Sequence, residues 1–246
     1  MRYLIVSDIH GNKEALEAVL SHAAGLHDRI VCCGDLVGYG PDPNAVVDWA
    51  RANLHAVIRG NHDKGCAGLE DLEWFNPLAR AVCEWTARQL TAANLEYLRE
   101  LPAGPLDVDG FQLVHGSPLD EDEYVVSLAD ARNIFPYMEA DLVFFGHTHI
   151  QCAWARRDGR FETIRRLRPG DPDLYLDVVQ DGAYLVNPGS VGQPRDGDPR
   201  AAYALFDTRT KELIQRRCRY DSSRTRRRIL EFGLPEPLAS RLETGR

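Results

Sequence analysis

The chain has 246 residues, 44% of them hydrophobic and 27% charged, with 20 glycines and 14 prolines, a balance that excludes disordered and fibrous classes. At this length roughly 70% or more of the unfolded surface can be buried, so neither a disulfide nor a structural metal is needed to hold a core, and any metal serves chemistry. A formal net charge of -8 disfavours long nucleic acid as an electrostatic partner.

Arg2-Tyr3-Leu4-Ile5-Val6 is too brief an apolar run for a signal peptide and far short of a membrane span, and Tyr3 to Val6 reads as a strand. A helix over Asn12 to Ala24, a strand over Arg29 to Cys33, a helix over Pro43 to Asn53 and a strand over His55 to Ile58 follow, an alternation that predicts parallel pairing with right-handed crossovers. Asn76 to Leu101 is helical with a break at Thr91-Ala92-Ala93, where Thr91 caps the second piece. Strands over Phe111 to His115 and Leu142 to Phe145 flank an acidic loop, Asp120 to Glu123, read as solvated, and a helix near Leu128 to Met138. From Ile150 the pattern changes to strands over Gln151 to Arg157, Phe161 to Leu167, Tyr184 to Asn187, Ala202 to Asp207 and Glu212 to Arg217, with turns at Asp158-Gly159 and Asp181-Gly182.

These elements predict one α/β domain over residues 1–246: a two-sheet β-sandwich flanked by helices, parallel at first and largely antiparallel later, ending in a basic helix or tail from about 220 to 246. Lys211 to Arg228 is locally basic and reads as a solvated face. The six cysteines, Cys32, Cys33, Cys66, Cys83, Cys152 and Cys218, show no C-x-x-C spacing and read as buried thiols in a reducing, cytoplasmic setting. Oligomeric state has no signature in the sequence.

Four segments each lie just after an apolar strand: Asp8-Ile9-His10-Gly11-Asn12, Gly34-Asp35, Gly60-Asn61-His62-Asp63 and Gly146-His147-Thr148-His149. His115-Gly116 is a fifth. Ligands of open α/β sheets gather outside the carboxyl ends of strands. In extended backbone residues two apart project to one side, which predicts Asp8 with His10 and His147 with His149 as chelating pairs, while the adjacent glycines let the chain turn and keep bulk away. Two Asp, one Asn amide and four His form an oxygen and nitrogen donor shell without sulfur, suited to Mn, Fe, Co, Ni or Zn.

In this order the five segments resemble the calcineurin-like metallophosphoesterase superfamily, and Asn187-Pro188-Gly189-Ser190 is similar to a segment of its compact bacterial members. The resemblance implies a four-layer α/β fold and a dinuclear centre, with one ion on Asp8, His10, Asp35 and His149 and the other on Asp35, Asn61, His115 and His147. It implies hydrolysis of phosphodiester or phosphomonoester bonds in small, nucleotide-like substrates by a hydroxide between the ions. His62, free beside Asn61, is the candidate general acid. Asp63 either orients a neighbour or stabilises a turn, and Tyr39, Arg59, Ser190 and Arg195 are candidate substrate contacts. Protein serine/threonine phosphatases carry Asp and Arg where this chain has Gly38 and Tyr39, which disfavours that branch. The alternative is a catalytically idle scaffold of the same fold that binds a protein partner.

Overall fold

A computed structural model of the chain describes residues 1–164, 167, 171, 173–177 and 182–246. In chain order the elements are β1 (Arg2–Val6), α1 (Lys13–His22), β2 (Arg29–Cys32), α2 (Pro43–Asn53), β3 (Ala56–Val57), α3 (Asn61–Ala67), α4 (Pro77–Gln89), α5 (Ala92–Glu100), β4 (Leu106–Val108), β5 (Phe111–Leu113), α6 (Leu128–Ile134), β6 (Leu142–Phe144), β7 (Cys152–Arg157), β8 (Arg160–Thr163), β9 (Leu174–Asp177), β10 (Gly182–Asn187), β11 (Ala201–Asp207), β12 (Glu212–Cys218), α7 (Ser222–Glu231) and α8 (Glu236–Thr244). Short 3-10 turns occupy Leu72–Trp74 and Phe135–Tyr137, so the helix expected to reach Met138 tightens after Ile134. The expected Asp181-Gly182 turn falls partly outside the described residues, as does the end of the expected Phe161 to Leu167 strand.

Two six-stranded mixed sheets form, in the orders β3-β2-β1-β11-β12-β9 and β4-β5-β6-β10-β7-β8. The β1/β2 and β2/β3 pairs are parallel and β11/β12 antiparallel, the predicted change from the first half to the second. Both faces of β1 are covered, which is why it reads as an unbroken apolar run. Tyr3 and Ile5 enter the core between the sheets with Phe111, Phe144, Tyr184 and Phe206, whereas Leu4 and Val6 pack under the helices with Leu16, Val19, Val46 and Val47. On the far side of the second sheet Phe145, Trp154 and Leu185 pack with Ile134 and Phe135, completing a helix, sheet, sheet, helix stack.

Local chemistry sets the helix boundaries. Asn12 is the N-cap of α1, its side chain accepting from Ala15 N–H, so that helix starts one residue later than predicted; Thr91 caps α5 by accepting from Asn94 N–H, as expected. The basic stretch is not a solvated face. Arg228 pairs with Asp42, Arg224 with Glu14 and Arg217 with Asp196, while Thr225 Oγ1 donates to Asn12 Oδ1 at 3.1 Å. The Thr225, Arg224 and Arg228 contacts fasten α7 to Asn12 at the end of the first donor loop, to α1 and to the start of α2. Ile229, Leu238 and Leu242 from the C-terminal helices and Leu234 from the turn between them join Ala79 and Val82 of α4 behind Tyr39. Among the described residues no helix is long and apolar enough to cross a membrane.

Candidate metal centre

The loops after β1 and β2 run side by side once their strands have ended. Asp8 N–H donates to Gly34 O at 3.0 Å, His10 N–H to Asp35 O at 3.0 Å and Gly11 N–H to Leu36 O at 2.9 Å. The backbone there is not extended: φ is 52° at Asp8, 50° at His10, 57° at Asp35 and at Tyr39, 66° at His147 and 59° at His149. The side-alternation expected of extended chain therefore does not bring Asp8 to His10; left-handed turns do, and His147 and His149, expected as a chelating pair, fall instead in different donor groups. Such backbone costs about 1 to 3 kcal/mol per residue, though Asp and His tolerate it better than most. Six of the nine non-glycine residues with positive φ among the described residues sit at this one place.

Glycines supply room rather than merely flexibility. A Cβ on Gly60 would stand 2.1 Å from Asp35 Oδ1, and one on Gly146 would stand 2.1 Å from Ser7 Oγ and 2.9 Å from Asp8 Oδ2. Asp63 accepts from Gly60 N–H at 3.0 Å and from Val37 N–H at 3.1 Å, which makes it the tie between α3 and the loop after β2; burial pushes its carboxyl up to about 7. Asn187 braces the last donor loop by donating to Gly146 O at 2.8 Å and Thr148 Oγ1 at 3.0 Å.

Two groups of donors result, Asp8, His10, Asp35 and His149 in one and Asp35, His115 and His147 in the other, with ligand atoms in each group all within 4.8 Å of one another. Asp35 belongs to both: its Oδ2 lies 3.5 Å from His10 Nε2 and 3.5 Å from His115 Nε2. Its Oδ1 accepts from His62 N–H at 2.9 Å. Asn61 joins the second group, with Oδ1 3.0 Å from His147 Nδ1 and 3.3 Å from His115 Nε2.

Three histidines share one arrangement. Nδ1 of His10, His115 and His149 faces a backbone carbonyl, Val37 O at 2.9 Å, Cys33 O at 2.7 Å and Gln193 O at 2.7 Å. A carbonyl only accepts, so each Nδ1 carries the hydrogen, and each ring in its neutral form turns a bare Nε2 inward. Burial keeps His10 and His149 well below the usual imidazole range, so both are neutral, yet their Nε2 atoms stand 3.0 Å apart. Two lone pairs at that separation repel unless a cation lies between them.

Charge is unbalanced in the same sense elsewhere. Burial pushes Asp8 up to about 6 and His147 down to about 3. Burial also opposes ionisation of Asp35 and His115, but their mutual attraction prevails, helped at Asp35 by His62, holding the Asp35 carboxyl well below its usual range and raising His115 to about 9. Asp8 Oδ2 and His147 Nε2 are buried with no hydrogen-bond partner among the described residues. Orphaned donors, facing imidazoles and a sulfur-free set all fit divalent transition-metal ions.

A cleft of about 360 Å³ opens over the second group, lined by Tyr39, Asn61, His62, Trp74, Tyr124 and His147 among others. A larger hollow of about 510 Å³, between Arg219 and Leu242, contains none of the donors. The His62 ring lies 4.3 Å from Tyr39 and 5.6 Å from Phe75, centroid to centroid, with Nδ1 3.4 Å from Cys83 Sγ. Arg195 stacks 5.2 Å from the Tyr39 ring and donates to Gln193 Oε1 at 3.0 Å.

The other two sequence candidates are engaged elsewhere. Arg59 makes two hydrogen bonds to Glu121, at 3.0 and 2.9 Å, and fully buried Ser190 donates to Asp8 O at 2.8 Å while accepting from Gln193 N–H at 2.8 Å. The acidic loop is likewise not simply solvated, since Glu121 and Asp122 both accept from Lys64. Sequence reasoning missed Trp74 and Tyr124 at this cleft and Cys83 buried against the His62 ring. No local motif marks any of them; only the buried stripe of α4, Ala79, Val82, Cys83 and Thr86, put the cysteine on an inward face.

Comparison with known proteins agrees with the geometry. The family model described as calcineurin-like phosphoesterase superfamily domain matches residues 1–211. A metallophosphoesterase from Sphaerobacter thermophilus is 41% identical, covers 100% of this chain and 99% of its own, and superposes with a TM-score of 0.85. A protein of Methanocaldococcus jannaschii described as uncharacterized is 35% identical over 98% of this chain and 97% of its own. A hypothetical protein from Pyrococcus horikoshii OT3, 22% identical over 100% of this chain and 98% of its own, shares the fold with a TM-score of 0.80. Fold and donor loops define a metallophosphoesterase. The chain belongs to the calcineurin-like phosphoesterase superfamily.

Proposed function

We propose that the chain hydrolyses phosphodiester or phosphomonoester bonds of small, nucleotide-like substrates with the help of two divalent transition-metal ions, drawn from Mn, Fe, Co, Ni and Zn. The observation that carries this reading is the 3.0 Å approach of two neutral Nε2 atoms, His10 and His149, each with Nδ1 bound to a carbonyl. Asp8, His10, Asp35 and His149 hold one ion; Asp35, Asn61, His115 and His147 hold the other. When bound, such ions supply Lewis acidity at phosphorus and an activated water as nucleophile.

The chain's own groups do the rest. His62 donates a proton to the leaving oxygen. Burial opposes its charge, but neighbouring negative charge prevails and holds the imidazole well above its usual range, so a proton is present at neutral pH. Tyr39 and Arg195 form the wall that meets the substrate, whereas Arg59 and Ser190 secure the loops behind it. Six free, buried cysteines fit a reducing, cytoplasmic compartment. The idle-scaffold alternative is not favoured, because a protein-binding surface gives no reason for orphaned donors inside the fold.

A panel of aryl diesters, aryl monoesters, cyclic nucleotides and dinucleoside polyphosphates, assayed with Mn, Ni and Zn, tests the reading. Turnover of diesters ahead of monoesters, abolished by a chelator and restored by added ion, is expected. Inactivity across the whole panel with all three metals overturns it.

A further inference from the structure

We propose that Cys83 is a positioning residue for the reaction: its sulfur holds the His62 ring by Nδ1, so that Nε2 keeps the proton delivered to the leaving oxygen. The proposal rests on the reading of His62 as general acid.

Of the five buried imidazoles at the site, His147 turns Nδ1 to Asn61 Oδ1 at 3.0 Å, and the other four differ in what faces Nδ1. In His10, His115 and His149 it is a carbonyl, which fixes hydrogen on Nδ1 and bares Nε2 for a ligand role. In His62 it is Cys83 Sγ, at 3.4 Å. A thiol that donates to Nδ1 leaves the ring's hydrogen on Nε2, and as that hydrogen passes to the leaving oxygen the thiol proton passes to Nδ1, so that the ring stays neutral and the sulfur takes the negative charge. A thiolate accepts from an imidazolium, which again carries hydrogen on Nε2. The remaining arrangement, Nδ1–H pointing at a neutral thiol, uses sulfur in its weakest capacity. The Nδ1 partner therefore sorts the rings into ligands and acid.

The ring has little freedom to choose another partner. His62 is 4% exposed and Cys83 0%. Tyr39 lies 4.3 Å, His10 5.0 Å and Phe75 5.6 Å away between centroids, and a Cβ on Gly38 would fall 2.6 Å from His62 Nδ1. Cys66 of α3 and Cys83 of α4 are both buried and influence each other's ionisation, so the sulfur against the acid lies in a thiol pair rather than alone. Among the described residues neither sulfur belongs to a donor group, so the pair has no ligand role to explain it.

Cys83→Ala, Cys83→Val and Cys83→Ser, each also placed in a His62→Ala background, test the proposal on metal-loaded protein with diesters of good and poor leaving groups. Removing the orienting partner should lower kcat for the poor leaving group by about 10- to 100-fold, the range seen when such a partner is lost. The good leaving group should lose less, because it needs less protonation. KM and metal content should hold, Cys83→Ser should recover most of the loss, and in the His62→Ala background Cys83→Ala should add nothing. Full kcat on the poor leaving group in both Cys83→Ala and Cys83→Val, with His62→Ala impaired, overturns the role of Cys83 alone. An equal loss in the His62→Ala background assigns the effect to packing and overturns it too. Undiminished turnover in His62→Ala removes the acid itself and the proposal with it.

Discussion

Asp8, His10, Asp35, His115 and His149 are at most 2% exposed, whereas Trp74 and Tyr124, on the cleft above them, are 87% and 58% exposed. The floor is fixed several times over, by parallel backbone bonds beyond the strand ends, left-handed turns, glycines that leave no room for a Cβ, and carbonyls on Nδ1. The wall is fixed by side-chain ion pairs, Lys64 with Glu70, Glu121 and Asp122, and Arg59 with Glu121. Part-exposed ion pairs contribute about 1 kcal/mol or less. The chemistry of the ions is thus written into the backbone, and the choice of substrate lies in side chains that alter without disturbing it.

Substitutions in the two regions should separate in kind as well as in size. Asp35→Asn strikes the one carboxylate common to both donor groups, so metal content of dialysed protein, read by mass spectrometry, should collapse and turnover with it. The loss should exceed the roughly 10- to 100-fold typical of an outer partner. Retention of wild-type metal content would break the assignment of Asp35 as shared ligand.

Acid sharpens the contrast next. In the metal-free chain His115 is raised to about 9 by Asp35 against the pull of burial, and Asp8 to about 6 by burial. An incoming ion displaces the His115 proton below about pH 9 and the Asp8 proton as well below about pH 6. Affinity should therefore fall as pH falls, by about tenfold per unit for each displaced proton, and more steeply under pH 6. Calorimetric metal titrations at a series of pH values check the slope, and a flat profile contradicts ligation through these two groups.

The smallest effect belongs to the wall. Trp74→Ala should leave melting temperature and metal content unchanged. It should raise KM for substrates with an aromatic group about 2- to 10-fold, the equivalent of an aromatic contact of about 0.5 to 1.5 kcal/mol. An unchanged KM would place the substrate elsewhere in the cleft.

The same contrast explains what the sequence disclosed. The apolar runs of β1 and β2 and the glycine-marked turns after them are local features, and they located the donor loops. Why Asp8 meets His10 was not local: φ at 52° and 50° is imposed by the neighbouring loop at Gly34 and Asp35, so extended-strand alternation was the wrong cause for a correct convergence. The helix Asn61–Ala67 was missed because its seven residues carry no amphipathic period; it stands on the Gly60 and Asp63 cap and on packing by α4 and α5. Likewise the four-residue strand Leu174–Asp177 owes its existence to β12, far along the chain, whereas the three-residue strand Leu106–Val108 pairs with β5 directly after it and is too short to carry a period. The pairing of Cys83 with His62 joins positions 21 residues apart on different helices, beyond any spacing rule.

Stepwise metal titration of stripped protein, with bound ions and diester turnover measured in the same samples, tests the central claim most directly. Turnover should rise with added ion and level off at about two equivalents per chain, as expected of a shared-carboxylate centre. A plateau at a single equivalent, or turnover that persists in the stripped protein, would contradict it.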